Sequence, residues 1–326
     1  MAQNINELSI EEKLGQLFMS TYENDSLSVK MINLLTKYHI GGILLTRPNY
    51  KNRKKLTHLT SYLQYYATKK RPLLIASRQD HHDDLVVMPE EETLHKMKNR
   101  LYTKQLSEVI AVEHRTVGIN TLFYPNLDAN DKTDLESSAN HGVATVQGMK
   151  KGFVVNCVSG FPSLNEINLD KKPDSKKSIV YPFYKIIKED VGLLNVKEPS
   201  EPLINGYIRN VLGYENVIIH ELTQPFTSVK EIANYVIEAI HAGVNMIILP
   251  YSYKEQMKLL NYLIEVVKEE KIDKDKINDS FNKLKSVKEA YRFDEFITSS
   301  DLKMKEHHVN SVKEKVKDKI TKLEIN

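Results

Sequence analysis

Short apolar runs, rich in β-branched residues, recur along the chain and alternate with longer segments of mixed polarity. Each run has the length of a strand that is buried on both faces, as in the interior of a parallel sheet. The eight runs are Gln16–Ser20, Gly41–Thr46, Leu73–Ser77, Ile119–Pro125, Phe153–Val158, Val191–Val196, Asn216–Glu221 and Asn245–Pro250.

The segments between these runs predict helices, because their apolar residues recur three and four positions apart and form one buried stripe. Six such helices are Ser26–Tyr38, Lys55–Ala67, Lys98–Val117, Val180–Lys188, Ser228–His241 and Glu255–Glu269. Strands that alternate with helices favour a parallel sheet, and eight units favour a closed barrel over an open sheet. We therefore predict an α/β fold, a (β/α)₈ TIM-type barrel over residues 1–300.

Two segments depart from the alternation. Asn165–Lys177 is polar and follows the fifth strand, where a long loop lies on the catalytic face of a barrel as a lid or a mobile segment. Residues 301–326 have apolar side chains at helical spacing and predict an amphipathic C-terminal helix. It either packs on the barrel or stays exposed to meet a protein partner or a second copy. Its apolar residues are Val309, Val312, Val316, Ile320 and Leu323.

Composition narrows the possible partners and location. Of the 326 residues, 41% are hydrophobic and 27% charged, which is typical of a globular chain. The net charge of +3 is small and spread out, which argues against a nucleic-acid partner. No run approaches the ~18 apolar residues of a membrane span. The N-terminus lacks the basic and apolar regions of a signal peptide, so we expect a cytoplasmic protein, although a removed leader would leave the same sequence.

The functional side chains of a TIM barrel lie at the C-terminal ends of its strands. Here these ends carry two carboxylates suited to glycoside hydrolysis, Asp128 and Glu221. They also carry His81, His82 and His220, which could serve a metal-dependent hydrolase. The spacing of the histidines matches no defined metal motif, so we predict neither a metal nor another cofactor. The single cysteine, Cys157, lies in an apolar run and is interpreted as a small buried hydrophobe.

Six blocks of sequence resemble family 3 glycoside hydrolases of the β-N-acetylglucosaminidase type, in the right order over roughly residues 5–295. The opening block resembles the family's start, and later blocks resemble its "GIN…PVLD", "HFPGHG", "GVIITD" and "AGVDMIL" segments. The blocks are Leu8–Met19, Gly41–Leu45, Gly118–Asn120 with Pro125–Asp128, Phe161–Pro162, Tyr214–Ile219 and Ala242–Ile247. The resemblance implies the same barrel and a carbohydrate ligand.

The blocks that carry the family's chemistry are altered. Arg78 stands where the resemblance places a sugar-binding aspartate, and the family's Lys-His pair corresponds to Ser159-Gly160. The family's general acid/base histidine falls near Ser163–Asn165, and its sugar-contacting arginine has no counterpart near Glu136–Asn140. The nucleophilic aspartate corresponds to Glu221, which is one methylene longer.

The predicted site follows from this alignment. Its catalytic positions are Glu221, at the nucleophile position, and His220. Its predicted substrate-binding residues are Arg78, Asp80, His81, Asp128 and Ser159. Because an arginine replaces an aspartate, the mouth becomes more cationic, and a small anionic ligand such as a phosphorylated or acidic sugar is a further candidate.

Two functions remain open. In the first, glycosidase activity is lost or strongly altered, and the barrel binds carbohydrate or a partner. In the second, the protein is an active retaining glycosidase with Glu221 as nucleophile and a relocated proton donor. The candidate donors are His81, His82, Glu166 and Asp170. An ion pair between Arg78 and Glu221 across the mouth would close the sugar pocket and favour the first.

Overall fold

A closed ring of eight parallel strands forms the centre of the molecule. The computed structural model describes residues 8–293 apart from 51, 69–70, 79–84, 90–92, 95, 97, 130–132 and 224–225. Each strand pairs with the next along the chain, and the eighth pairs with the first. The strands are β1 Phe18–Tyr22, β2 Gly42–Leu45, β3 Leu74–Arg78, β4 Thr121–Phe123, β5 Val155–Phe161, β6 Leu193–Val196, β7 Val217–Glu221 and β8 Met246–Leu249. The predicted (β/α)₈ barrel is confirmed.

Helices surround the ring, and most of them connect successive strands. They are α1 Ile10–Gln16, α2 Val29–Thr36, α3 Arg53–Ala67, α4 Arg100–Thr116, α5 Leu135–Lys151, α6 Tyr181–Ile187, α7 Val229–Ala242, α8 Tyr253–Lys268 and α9 Lys274–Ala290. A π-helix, Pro202–Arg209, fills the connection between β6 and β7. None of the helices described here is long and apolar enough to cross a membrane. The predicted tail helix, 301–326, lies outside the described residues.

The helices differ from the sequence prediction in several places, since the six predicted helices do not include α1, α5 or α9. Gln16 belongs to α1 rather than to the first strand, because Ser9 and Glu12 form a capping box that starts a helix at Ile10. Helix α5 was not predicted, because glycines interrupt its apolar stripe. One of them, Gly148, brings α5 against α4: a Cβ there would lie 2.2 Å from the Lys104 carbonyl oxygen.

The register of the strands decides which side chains point into the barrel. Residues paired across parallel strands share a face, and successive residues alternate between faces. Cys157 pairs with Leu193, and Leu193 pairs with Val217, so these three share a face. Two and four residues beyond Val217 come Ile219 and Glu221, on that same face. His220 therefore lies on the opposite, helix-facing side of β7.

Candidate active site

An ion pair spans the mouth of the barrel. Arg78 ends β3 and Glu221 ends β7, four strands apart in a ring of eight, so the two residues face each other across the barrel axis. Arg78 Nη2 donates to both carboxylate oxygens of Glu221, at 2.7 Å to Oε1 and 2.6 Å to Oε2. The Arg78 side chain is 41% exposed and that of Glu221 23%. The pairing that would close the sugar pocket is thus present.

The Phe123 ring supports this pair from β4. Phe123 is the register partner of Arg78 on the neighbouring strand, so both side chains point into the mouth. The Arg78 guanidinium lies over the ring, 5.5 Å from its centroid, a distance at which cation–π attraction operates. The aromatic face therefore restricts the positions that the guanidinium adopts.

His220 lies away from the mouth, although it is next to Glu221 in sequence. It is 1% exposed and points toward α7, where its Nε2 lies 3.0 Å from the Tyr235 hydroxyl. Its Nδ1 donates to the Val196 carbonyl oxygen at 3.0 Å, so Nε2 accepts from Tyr235. Burial lowers the pKa of His220, which keeps the ring neutral near pH 7. His220 links β7 to β6 and α7 and does not point into the mouth, where a metal-dependent hydrolase would have required it.

Asp128 and Lys197 form a second ion pair at the mouth. Lys197 Nζ lies 2.9 Å from Asp128 Oδ1, and both side chains are about half exposed. Asp128 sits against Gly160, whose φ of 84° is in the left-handed region. A Cβ on Gly160 would lie 2.4 Å from the Asp128 amide nitrogen, so only glycine permits this approach. Gly160 therefore sets the position of Asp128 and, through it, of Lys197.

A cavity of about 930 Å³ opens beside the Arg78–Glu221 pair, on the side of β4, β5 and β6. Arg78 lines it, whereas Glu221 does not. The other charged residues lining it in the described part of the chain are Arg47, Lys197 and Asp128. Its neutral polar lining comes from amides and hydroxyls: Asn126, Ser138, Thr145, Ser159 and Asn195. The predicted residues Arg78, Asp128 and Ser159 are thus brought together around one cavity.

The remaining predicted residues are placed differently. Asp80, His81 and His82 lie outside the described residues. The Glu166 side chain accepts a hydrogen bond from the Ser163 amide at 2.7 Å, within a capping box that starts a short 3₁₀ helix. This capping box lies at the start of the loop after β5, for which the sequence predicted a lid or a mobile segment.

His141 is a cavity residue that the sequence did not single out. It projects from α5, is 6% exposed, and its Nδ1 lies 2.8 Å from the Thr103 hydroxyl. Because α5 was not recognised as a helix, nothing placed His141 at the mouth. Asn195 was missed as well: its Oδ1 is buried, with no hydrogen-bond partner in the described part of the chain. A buried acceptor of this kind is normally satisfied by water or by a ligand.

Neither a metal site nor a thiol nucleophile is built from the described side chains. Among these residues, no group of three His, Cys, Asp or Glu side chains is placed to hold a metal ion. Cys157 points into the barrel, where the charges of both Arg78 and Glu221 act on it. Burial raises the pKa of the thiol far above neutrality, so Cys157 stays protonated. The interpretation of Cys157 as a buried small residue is confirmed.

Comparisons with known proteins agree with this architecture. Beta-hexosaminidase A of Pseudoalteromonas piscicida is 19% identical over 332 aligned positions, which cover 81% of this chain. They cover 55% of that relative, so the chain spans about half its length. A family 3 β-N-acetylglucosaminidase from Paenibacillus superposes with a TM-score of 0.78 at 23% identity, covering 92% of this chain and 68% of its own. A β-N-acetylhexosaminidase from Beutenbergia cavernae superposes with a TM-score of 0.74 at 17% identity, covering 87% and 99%.

The structural likenesses, at these identities, establish the fold. The family follows from the sequence itself: residues 9–191, more than half of the chain, match the profile described as "Glycosyl hydrolase family 3 N terminal domain". The protein therefore belongs to glycosyl hydrolase family 3 and is related to its β-N-acetylhexosaminidases.

Proposed function

We propose that this protein binds carbohydrate in the mouth of the barrel and has lost glycosidase activity there. The observation that carries the proposal is the ion pair between Arg78 and Glu221. A retaining glycosidase needs a carboxylate that is free to attack the anomeric carbon. Here both oxygens of the only carboxylate at the nucleophile position are held by one guanidinium. While the pair is closed, both carboxylate oxygens face Arg78 rather than a substrate, and Arg78 itself stands where the family has a sugar-binding aspartate.

The proton donor is the second part of the argument. The family's acid/base histidine corresponds to Ser163–Asn165, which contains no side chain that can donate a proton near neutral pH. Glu166, one candidate replacement, is engaged in the local capping box. General acid–base catalysis contributes roughly 10²–10⁴-fold to a rate, and a nucleophile misplaced by about 1 Å costs roughly 10²-fold more. Together these losses reduce hydrolysis to a background level.

Carbohydrate remains the best-supported ligand class. The amides and hydroxyls that line the cavity match the donors and acceptors of sugar hydroxyls. Phe123 supplies an aromatic wall. The names of the relatives point the same way, since they are β-hexosaminidases and β-N-acetylglucosaminidases.

The test compares hydrolysis of an aryl N-acetylglucosaminide by the wild type and by Glu221→Gln. We expect the two rates to be equal, while calorimetry detects N-acetylglucosamine binding to the wild type. A matched control is Glu265→Gln, which likewise removes an exposed negative charge, near the end of α8 and away from the mouth. Turnover by the wild type that disappears in Glu221→Gln would contradict the loss of activity.

The alternative is an active retaining enzyme with Glu221 as nucleophile. It is favoured by one observation: Glu221 points into the mouth and stays partly exposed, at 23%. In that case the wild type hydrolyses the substrate and Glu221→Gln does not. Single substitutions of His81, His82, Glu166 and Asp170 then identify the proton donor by which of them removes activity.

A further inference from the structure

The charges around the cavity are unevenly distributed. Within the described residues, three cationic side chains line it, Arg47, Arg78 and Lys197, against one carboxylate, Asp128. Lys197 already holds that carboxylate at 2.9 Å. Glu221 faces Arg78 from the other side of the barrel and does not line the cavity. A ligand entering the cavity therefore meets the guanidinium of Arg78, not the carboxylate that neutralises it.

The Arg78–Glu221 pair is able to exchange partners. Its two side chains are 41% and 23% exposed, and pairs exposed to this extent contribute little net stability because water solvates both charges. The guanidinium also lies over the Phe123 ring, so its position does not depend on Glu221 alone. A planar guanidinium suits carboxylate and phosphate oxygens equally well.

A neutral part of the ligand is indicated by a separate observation. The cavity wall carries neutral amide and hydroxyl side chains, among them Asn126, Ser159 and Asn195. Sugar hydroxyls can both donate to and accept from such groups. The cavity volume of about 930 Å³ exceeds what an inorganic anion needs and is in the range of sites for small organic ligands.

We propose that the cavity selects a sugar carrying one carboxylate or phosphate group, and that this group takes the place of Glu221 on Arg78. The proposal rests on the carbohydrate-binding function above and names the class of sugar. Binding of an acidic sugar opens the ion pair and frees the Glu221 carboxylate. A neutral sugar leaves the pair closed and forgoes the charge-assisted hydrogen bonds.

The experiment measures calorimetric affinities for matched neutral and acidic sugars. The pairs are N-acetylglucosamine with its 6-phosphate and glucose with glucuronate, and inorganic phosphate serves as the anion alone. For the wild type we expect the acidic member of at least one pair to bind about 10- to 100-fold more tightly than the neutral member. This ratio corresponds to the free energy that hydrogen bonds to a charged group contribute. Arg78→Gln should remove this preference, so that the neutral and acidic members of each pair bind with affinities within about two-fold of each other.

Glu221→Gln should give the opposite change. Removing the competing carboxylate should strengthen binding of the acidic sugar by about two- to five-fold, because an exposed ion pair of modest strength no longer has to open. Near the end of α8, Glu265→Gln is the charge-matched control for Glu221→Gln and Lys268→Gln that for Arg78→Gln. Both should leave the affinities for neutral and acidic sugars unchanged. Melting curves confirm that each variant is folded.

The outcomes separate the two proposals. If neutral and acidic sugars bind the wild type equally, the acidic preference is wrong and the carbohydrate-binding function stands. If inorganic phosphate binds as tightly as the sugar phosphate, the ring contributes nothing and selection of an acidic sugar is again wrong. If no sugar binds to the wild type or to Glu221→Gln, the carbohydrate-binding function itself fails, and this inference fails with it.

Discussion

The two ends of this barrel handle buried and exposed charge in opposite ways. At the C-terminal mouth, Arg78 and Lys197 are partly exposed, and each is paired with a carboxylate. At the N-terminal end, Lys288 of α9 is 5% exposed, and its partners in the described chain are neutral oxygens. Its Nζ donates to Gln16 Oε1 at 2.9 Å and to the Gly41 carbonyl oxygen at 3.3 Å.

The difference teaches what each end is suited to do. A charge that is solvated and paired can change partner at little cost, which suits a face that receives ligands. A buried cation with only neutral acceptors is expensive in its charged form, and burial accordingly lowers the pKa of Lys288 to about 7. In barrels generally, the C-terminal face carries function and the N-terminal face carries stability. In this protein the N-terminal end contains Lys288, a buried group that destabilises the fold when it is charged. Substituting Lys288 therefore tests the difference between the two ends directly.

The largest expected effect is on stability, from Lys288→Met. Methionine keeps the apolar stem and removes the buried charge, so we expect the free energy of unfolding to increase by about 3 kcal/mol at pH 6, within the range measured when buried charges are replaced by apolar residues. Chemical denaturation of both proteins measures the change. Lys285→Met is the control, because Lys285 lies on the same helix and is exposed, and it should change stability by less than about 0.5 kcal/mol.

The gain in stability of Lys288→Met over the wild type should depend on pH, and the direction of that dependence follows from the lowered pKa of Lys288. Between pH 7 and about 10 the unfolded chain keeps the Lys288 proton, while the folded protein releases it. The unfolded state then binds more protons, so the stability of the wild type rises with pH across this window. The advantage of Lys288→Met is therefore full below pH 7 and shrinks above it. An advantage that does not vary between pH 6 and pH 9 would contradict the burial of a titrating amine.

The second largest expected effect on stability comes from Gly160→Ala, at the mouth of the barrel. The added Cβ would meet the Asp128 amide nitrogen at 2.4 Å, and φ at Gly160 is 84°, which costs an L-residue free energy. We expect a loss of about 2 kcal/mol in the free energy of unfolding, in the range for strained backbone positions. Gly206→Ala is the matched control: a Cβ there meets nothing within 4 Å, so stability should be unchanged or slightly higher. Equal effects at the two glycines would show that Gly160 does not shape the mouth.

The sequence predicted the barrel well because its strands are buried on both faces and read as continuous apolar runs. The site was harder for physical reasons. Glu221 and His220 are adjacent on β7, so the alternation of a strand allows only one of their side chains to point into the mouth. The register between β7 and β6 decides which one, and the sequence of β7 alone does not reveal that register. His141 was missed because glycines interrupt the stripe of α5, a local pattern that close packing against α4 overrides.

The smallest expected effect comes from the Arg78–Glu221 ion pair that spans the mouth. The contact joins residues 143 positions apart in sequence, and both side chains are partly exposed. In a double-mutant cycle with Arg78→Gln and Glu221→Gln, we expect a coupling energy below about 1 kcal/mol that weakens in 1 M salt, where screening acts within about 3 Å. A coupling of several kcal/mol that resists salt would mean a desolvated, permanent pair. The mouth would then resemble the Lys288 end, where charge is fixed in place, and exchange of Glu221 for a ligand anion would be too costly to occur.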